Sequence, residues 1–298
     1  MSAEAYHTSV LLQESIEALN IDPNGTYVDV TFGGGGHSIE ILKKLDQGKL
    51  IGFDQDADAK ANLIDDERFI FIPENFRHIS NFLAFKGIDK VDGLLADLGV
   101  SGHQFDESTR GFSIRGDAAL DMRMNQNTGL TATEFIQQSS EDQLVEVFKT
   151  NADMASVYKV AKALIKTQPK TTGELMDAVE RFAIPGKERK FLAQVFQAIR
   201  IEVNDEMGAL RDMLKSTIDL ISPQGRLVVI SYHSHEDRLV KNFLRSGDFT
   251  GKMNKDFFGN LIRPFDPVSN KAITPTEEEI RRNNRARSAK MRVGSKNG

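Results

Sequence analysis

Four consecutive glycines, Gly33–Gly36, stand in the stretch TFGGGGHS between a short β-rich run and a segment with helical spacing. Glycine loses the most backbone freedom on folding, so such a run belongs where side chains must be excluded. The run before it, TYVDV, centres on Tyr27–Val30; after it, Ile39, Leu42 and Leu45 recur at helical intervals in HSIEILKKL. Strand, glycine loop and helix in that order bring backbone amides and the positive end of a helix dipole to one point. The residues up to Gly99 repeat the alternation. KLIGFD (Lys49–Asp54), an Ala-rich segment expected to be helical, RFIFIP (Arg68–Pro73) and DGLLADLG (Asp92–Gly99) follow in turn. Short strands separated by helix-length segments predict an α/β fold, a parallel sheet with helices on both faces.

The middle of the chain reads differently. From about Thr131 to Lys190 no strand pattern occurs, while Thr131 with Glu134, Ser140 with Gln143 and Thr171 with Glu174 each match a capping box. Leu144, Val147 and Phe148 give one apolar stripe; Val157, Val160, Ala161 and Leu164 give another. The alternating pattern then resumes: a long helix around Phe191–Leu220, a turn at SPQG (Ser222–Gly225), the strand RLVVISY (Arg226–Tyr232) and a helix over Glu236–Leu244. The expected organisation is a discontinuous α/β domain, residues 1–110 and 191–298, interrupted by an all-helical subdomain at 111–190.

The chain contains no cysteine, which excludes disulfides, thiolate metal sites and a cysteine nucleophile, and fits a reducing compartment. MSAEAYHTSV has no basic segment leading into an apolar one, and no apolar run approaches the roughly 18 residues of a membrane helix. A cytosolic protein is expected. The segment Ile280–Gly298 carries +7, which leaves −12 on the rest of a chain whose net charge is −5. A basic tail on an acidic body suits a local contact with a polyanion, or a disordered solubilising tail.

The loop narrows the ligand. A dinucleotide fingerprint needs a third glycine where the chain has Ser38, and no Gly-Lys-Ser/Thr follows for a nucleotide-triphosphate loop. Asp54, 21 residues after Gly33, ends the second strand, where a carboxylate can accept hydrogen bonds from both hydroxyls of a ribose. Asp29 precedes the glycines and Asp97 lies near the end of the fourth strand. Three carboxylates around one loop repel phosphates and suit a cationic nucleoside, which S-adenosylmethionine is. A nicotinamide oxidoreductase and a non-catalytic RNA-binding scaffold are the competing readings; the absent glycine counts against the first, and the intact acids against the second.

HTSVLLQESIEAL, YVDVTFGGGGHS, DGLLADLGVSGHQFDESTRGFSIRGDAALDMRM, FQAIRIEVNDEMGAL, GRLVVISYHSHEDRLVK and NNRARSAKMR occur in this order from His7 to about Arg292. Together they resemble the RsmH (MraW) family, bacterial 16S ribosomal RNA cytosine-N4 methyltransferases that use S-adenosylmethionine. The resemblance implies a Rossmann-like class I S-adenosylmethionine-dependent methyltransferase domain with an inserted helical subdomain, and a 16S ribosomal RNA target in the decoding region of the small subunit. It leaves room for a homodimer. Cofactor contacts would fall on Gly35, Gly36, His37, Asp54, Phe76, Asp97 and Gln104. Asp97 is the expected proton acceptor, with Ser101 second. Arg110, Phe112, Arg115 and Arg123, together with Arg281, Arg282, Arg285 and Arg287, are expected to meet RNA, the helical subdomain serving RNA recognition. SYHSHEDR offers four groups that could hold a metal, His233, His235, Glu236 and Asp237; the resemblance favours a fixed loop lining the target pocket, with His233 on base or phosphate and no metal. The chain departs from the family's usual residues at Val30, Gly102, His103, Ala118, Ala119 and Asn125.

Overall fold

The computed structural model describes residues 9–100 and 107–298. It divides into two compact units, residues 1–99 with 208–298, and residues 100–207. The first unit is built on one sheet of seven strands: β1 (Thr26–Asp29), β2 (Lys49–Phe53), β3 (Phe69–Ile72), β4 (Val91–Asp97), β5 (Ile221–Ser231), β6 (Phe265–Pro267) and β7 (Lys290–Lys296). Their spatial order is β3-β2-β1-β4-β5-β7-β6. The first five are parallel, with Val28 opposite both Ile51 and Leu94, and Leu95 opposite Val228. β7 runs antiparallel between β5 and β6.

Helices cover both faces, which is why the strands are apolar throughout rather than alternating. Leu50, Leu95, Val228 and Ile230 pack with α1 (Leu12–Leu19) and α2 (Gly36–Leu42) on one side. The interleaved Leu94, Leu227 and Val229 point the other way and are equally buried. α3 (Ile79–Phe85) leads from β3 to β4, its Phe82 packing edge-on to Phe53 of β2.

The second unit is helical around its own core: α4 (Ala132–Gln138), α5 (Glu141–Asn151), α6 (Val157–Thr167), α7 (Thr172–Val179) and α8 (Glu188–Val203). Leu144, Phe148, Val160, Leu164, Leu175, Val195 and Ile199 meet inside it. Thr131 and Ser140 form both halves of their capping boxes. Thr171 accepts from the Glu174 amide, but Glu174 reaches one residue farther back, to the Lys170 amide at 2.7 Å. Because α8 turns Phe191, Leu192, Val195 and Phe196 into this core, the unit runs over 100–207, where the sequence pattern draws a subdomain at 111–190.

Three local expectations change. The Ala-rich segment is a 3-10 turn, Ala57–Asn62, whose alanines at every second residue offer no helical stripe to bury. The long helix is two, α8 and α9 (Glu206–Leu220), broken at Asp205, which sits at φ 45°. The basic tail is folded: α10 (Ser234–Ser246) leads through β6 to α11 (Glu277–Arg282), a 3-10 turn at Asn284–Ser288 and β7, an interior strand. A disordered tail is thereby excluded. No described helix is long and apolar enough to cross a membrane.

Candidate functional site

The carboxyl ends of β1, β2 and β4 carry the acidic residues, and the glycine loop lies among them. Phe32 anchors the loop from below: its amide donates to the Phe53 carbonyl and its ring packs on Phe69 and Phe71, 5.1 and 5.4 Å away between centroids. Gly33 and Gly35 take φ 50° and 76°, the left-handed region that side chains disfavour. At Gly36 a side-chain carbon would meet Ser9 Oγ at 2.1 Å, so the chain itself occupies that space. Gly34 is the exception. A carbon added there meets nothing within 4 Å and the residue is exposed, so the loop is open to an incoming ligand at this point.

Asp54 holds the loop in place. Its Oδ2 accepts from the Gly33 amide at 2.7 Å and its Oδ1 from the Asp56 amide at 2.8 Å. Asn62 closes the other side, donating to the Gly33 carbonyl at 3.0 Å. A carboxylate has about four acceptor sites, so two amides leave Asp54 able to accept two more hydrogens. Burial pushes its pKa up to about 6 despite those amides.

The other two acids differ from each other. Asp29 is fully internal: Oδ2 accepts from Ser38 Oγ at 2.7 Å and Oδ1 from the Thr31 amide at 3.1 Å. It ties β1 to α2 and offers no face to a ligand, although its charge raises its neighbours. Asp97 remains partly open, its side chain 21% exposed. Its amide donates to Thr31 Oγ1 and its Oδ1 accepts from the Tyr232 hydroxyl, each at 2.7 Å. Oδ2 lies 3.9 Å from His37 Nδ1 and accepts no hydrogen bond among the described residues. Because the Val10 carbonyl can only accept, the proton of a neutral His37 sits on Nε2, 3.2 Å away. Nδ1 carries a hydrogen toward Asp97 only when His37 is protonated, and it is that charge which lowers Asp97. Burial pushes Asp97 up to about 6, against the opposing pull of His37 and Tyr232, and pulls His37 below the usual histidine value.

Phe76 opens the 3-10 turn Phe76–His78 just after β3 and is half-buried. Asn75 beside it donates to Gln55 Oε1 at 2.8 Å, tying this turn to the loop after Asp54. The structure thus brings Gly35, Gly36, His37, Asp54, Phe76 and Asp97 to one end of one sheet. Ser101 and Gln104 lie outside the described residues. Two contributors carry no motif of their own, Thr31 and Tyr232; the only signal for either was its position within two residues of a strand's end.

The residues expected to face RNA separate into two groups. Arg110 is 3% exposed and donates to the carbonyls of Arg123 and Met124 with its guanidinium over Phe112, itself buried. Arg123 pairs with Asp121 at 2.7 Å. These three side chains are built into the helical unit, whereas Arg115 is exposed. Arg281, Arg282, Arg285 and Arg287 all lie on the surface, Arg282 paired with Glu278 on the preceding turn. His233 is the N-cap of α10: its Nδ1 accepts from the Glu236 amide while Glu236 accepts from the Tyr232 and His233 amides.

A seven-stranded sheet with an antiparallel β7, a glycine loop after β1 and carboxylates ending β2 and β4 defines a Rossmann-like methyltransferase of class I. Within that class the chain belongs to the MraW methylase family, whose model matches residues 4–297. Curated relatives include the ribosomal RNA small subunit methyltransferase H of Parabacteroides distasonis, 54% identical over 98% of this chain and 97% of its own. That of Bacteroides thetaiotaomicron is 51% identical over 98% and 97%. Similarity to solved structures is distant. A Streptococcus thermophilus rRNA methylase gives a TM-score of 0.44 at 10% identity over 99% of this chain and 100% of that one. A Streptococcus mutans methyltransferase in complex with SAH gives 0.43 at 12% over 97% and 98%.

Proposed function

We propose that this protein transfers a methyl group from S-adenosylmethionine to the exocyclic N4 amine of a cytidine in 16S ribosomal RNA, acting in the cytoplasm on the small subunit. The observation that supports it most directly is the pairing of an open backbone at Gly34 with two carboxylates, Asp54 and Asp97, that retain acceptor positions unused among the described residues. Relatives about half identical over nearly the whole chain, named for small-subunit rRNA methylation, support the substrate.

When bound, S-adenosylmethionine supplies an electrophilic methyl on a sulfonium. The chain's own residues bind and orient. Asp54 uses its two remaining acceptor positions on the ribose hydroxyls, the glycine loop admits the ligand at Gly34, and Phe76 stacks on the base. Asp97 turns Oδ2 to the target. The amine of cytosine is a poor nucleophile because its lone pair is delocalised into the ring. An ionised Oδ2 that accepts one N–H during attack returns electron density to nitrogen and then takes the proton. A pKa of about 6 keeps Asp97 ionised at neutral pH yet basic enough to do so. Among the arginines, the surface set Arg115, Arg281, Arg282, Arg285 and Arg287 supplies phosphate contacts, and the helical unit contributes to RNA recognition.

The test is methyl transfer from tritiated S-adenosylmethionine to unmodified small subunits, with mapping of the labelled base. Label on a cytidine N4 is expected, and its loss in Asp97→Ala even at cofactor concentrations that saturate the variant. Tight uptake of NADH or ATP with indifference to S-adenosylmethionine would overturn the reading.

A further inference from the structure

Between α10 and β6 the chain makes a small hairpin that neither the cofactor site nor the arginine surface accounts for. Asp256 and Asn260 pair through the backbone at 2.9 Å, Ile262 donates to the Asn254 carbonyl at 2.9 Å, and Lys255 bridges Leu261. The turn is fixed from within. Asp256 Oδ1 accepts from the Phe258 and Asn260 amides, Oδ2 accepts from the Asn260 side chain, and Gly259 adopts φ 89°. At the tip stand Phe257 and Phe258, 99% and 85% exposed, edge to face with centroids 5.7 Å apart. Two phenylalanines in water on a well-built turn mark an interaction surface.

Charge decides among partners. Lys241 to Asp256 holds four cations, Lys241, Arg245, Lys252 and Lys255, against two acids, Asp248 and Asp256, in a chain whose net charge is −5, while Arg263 just beyond is paired with Asp266 at 2.7 Å. Both acids are engaged in local hydrogen bonds: Asp248 Oδ1 accepts from the Thr250 and Lys252 amides, and Asp256 holds the hairpin. Lys252 and Lys255 are exposed. Bare aromatic rings beside lysines match what single-stranded nucleic acid offers, bases to stack and phosphates to neutralise. A second copy fits less well. A stable dimer buries about 800 Å² per partner, whereas one aromatic ring supplies about 150–250 Å², so two fall short.

We propose that the Phe257–Phe258 hairpin is a stacking platform for single-stranded RNA, held by Lys252 and Lys255 and engaging the substrate away from the reacting base. The assignment of RNA as the partner rests on the function proposed above. The chain contains no tryptophan, so Phe257→Trp installs a single fluorophore at the tip. Titration with an oligouridylate of about 12 nucleotides should quench it, and added salt should reverse the quenching. Phe257→Ala with Phe258→Ala should weaken binding of the same oligonucleotide about fivefold or more per ring, with S-adenosylmethionine affinity unchanged. Tryptophan emission indifferent to RNA, or a blue shift that instead follows protein concentration or added anionic vesicles, overturns the proposal in favour of self-association or a lipid surface. Methylation of small subunits with no quenching would sink the hairpin alone. Quenching without methylation would leave the hairpin and sink the enzymatic reading.

Discussion

Tyr232→Phe removes one oxygen atom and leaves the ring that packs against Gly99, where a side-chain carbon would stand 3.3 Å from it. What it deletes is the hydroxyl donating to Asp97 Oδ1 at 2.7 Å. A hydrogen bond to a charged group is worth about 1.5–3 kcal/mol, and about 1.4 kcal/mol is one pKa unit, so the Asp97 pKa should rise by about one to two units. It starts at about 6, pushed there by burial, with His37 and Tyr232 lowering it and Asp29 and Glu236 raising it. The variant therefore places it at about 7–8. At pH 7 the ionised fraction falls from about nine-tenths to between a half and a tenth, and methyl transfer should slow by about 2- to 10-fold. The sign follows from what the bond stabilises: the donor favours the carboxylate, so its loss favours the acid, and raising the pH should restore the rate. Initial rates at saturating cofactor and subunit, followed from pH 6 to 9, test this. A uniform loss across that range would make Tyr232 a structural residue only, and an unchanged profile would remove Asp97 from the chemistry.

Three further outcomes follow from the same geometry. Asp54 and Asp97 each titrate near 6 and must be ionised to receive a sulfonium nucleoside, so cofactor affinity should fall as pH drops from 7.5 to 5, and calorimetry at pH 6 in two buffers should register proton release. A flat affinity over that range would contradict the assignment. Asp54→Ala removes two acceptors for the ribose and the partner of the Gly33 amide, and should weaken cofactor binding about 100-fold by calorimetry, at two hydrogen bonds of about 1.5 kcal/mol each. Gly36→Ala drives a carbon against Ser9 Oγ and should cost about 1–3 kcal/mol in denaturant unfolding. Adding Ser9→Ala should recover most of that loss, since Ser9 Cβ stands 3.4 Å away; equal stability of the single and double variants would show that the contact is not the cause.

How much of this could be read from the residues depends on whether a signal was local. The five parallel strands announced themselves as apolar runs because both their faces are covered. β7 did not: in KMRVGSK the buried Met291 and Val293 alternate with Lys290 and Arg292, and the charges outweigh a weak period of two. Arg292 is nonetheless paired, 2.6 Å from Asp237 of α10, so what reads as polyanion-binding charge is in part an internal ion pair. β6, three residues long, carries no pattern at all. In the site, Asp54 was visible as an acid ending a strand. The difference between Asp29 and Asp97 was not, since it depends on Ser38 and Tyr232 arriving from nine and 135 residues away. Arg110 shows the same limit: its type suggests a surface, and two carbonyls thirteen and fourteen residues on bury it.

The acids are costly to the ligand-free fold, and that cost points to the charge of the ligand. Burial raises the pKa of Asp29, Asp54 and Asp97 alike. For an acid whose folded pKa lies above its unfolded value, the contribution to stability is complete below about pH 4 and is lost as pH rises through the folded pKa. For Asp54 and Asp97 that loss is finished just above pH 6, so at neutral pH the empty site holds two charges that burial opposes. Asp66 and Asp121 behave in the opposite sense: their arginine neighbours lower them, so their contribution is gained at more acid pH, as pH rises through the depressed folded value, and is already complete above about pH 4. No arginine or lysine neutralises Asp54 or Asp97 among the described ion pairs; His37, itself pulled toward neutrality by burial, is the only basic group beside Asp97 there. A sheet edge left in that state binds best what supplies the missing positive charge and hydroxyl hydrogens together. A phosphorylated nucleotide would bring more negative charge to the same place, so in the proposed site these two carboxylates, more than the glycines, disfavour it.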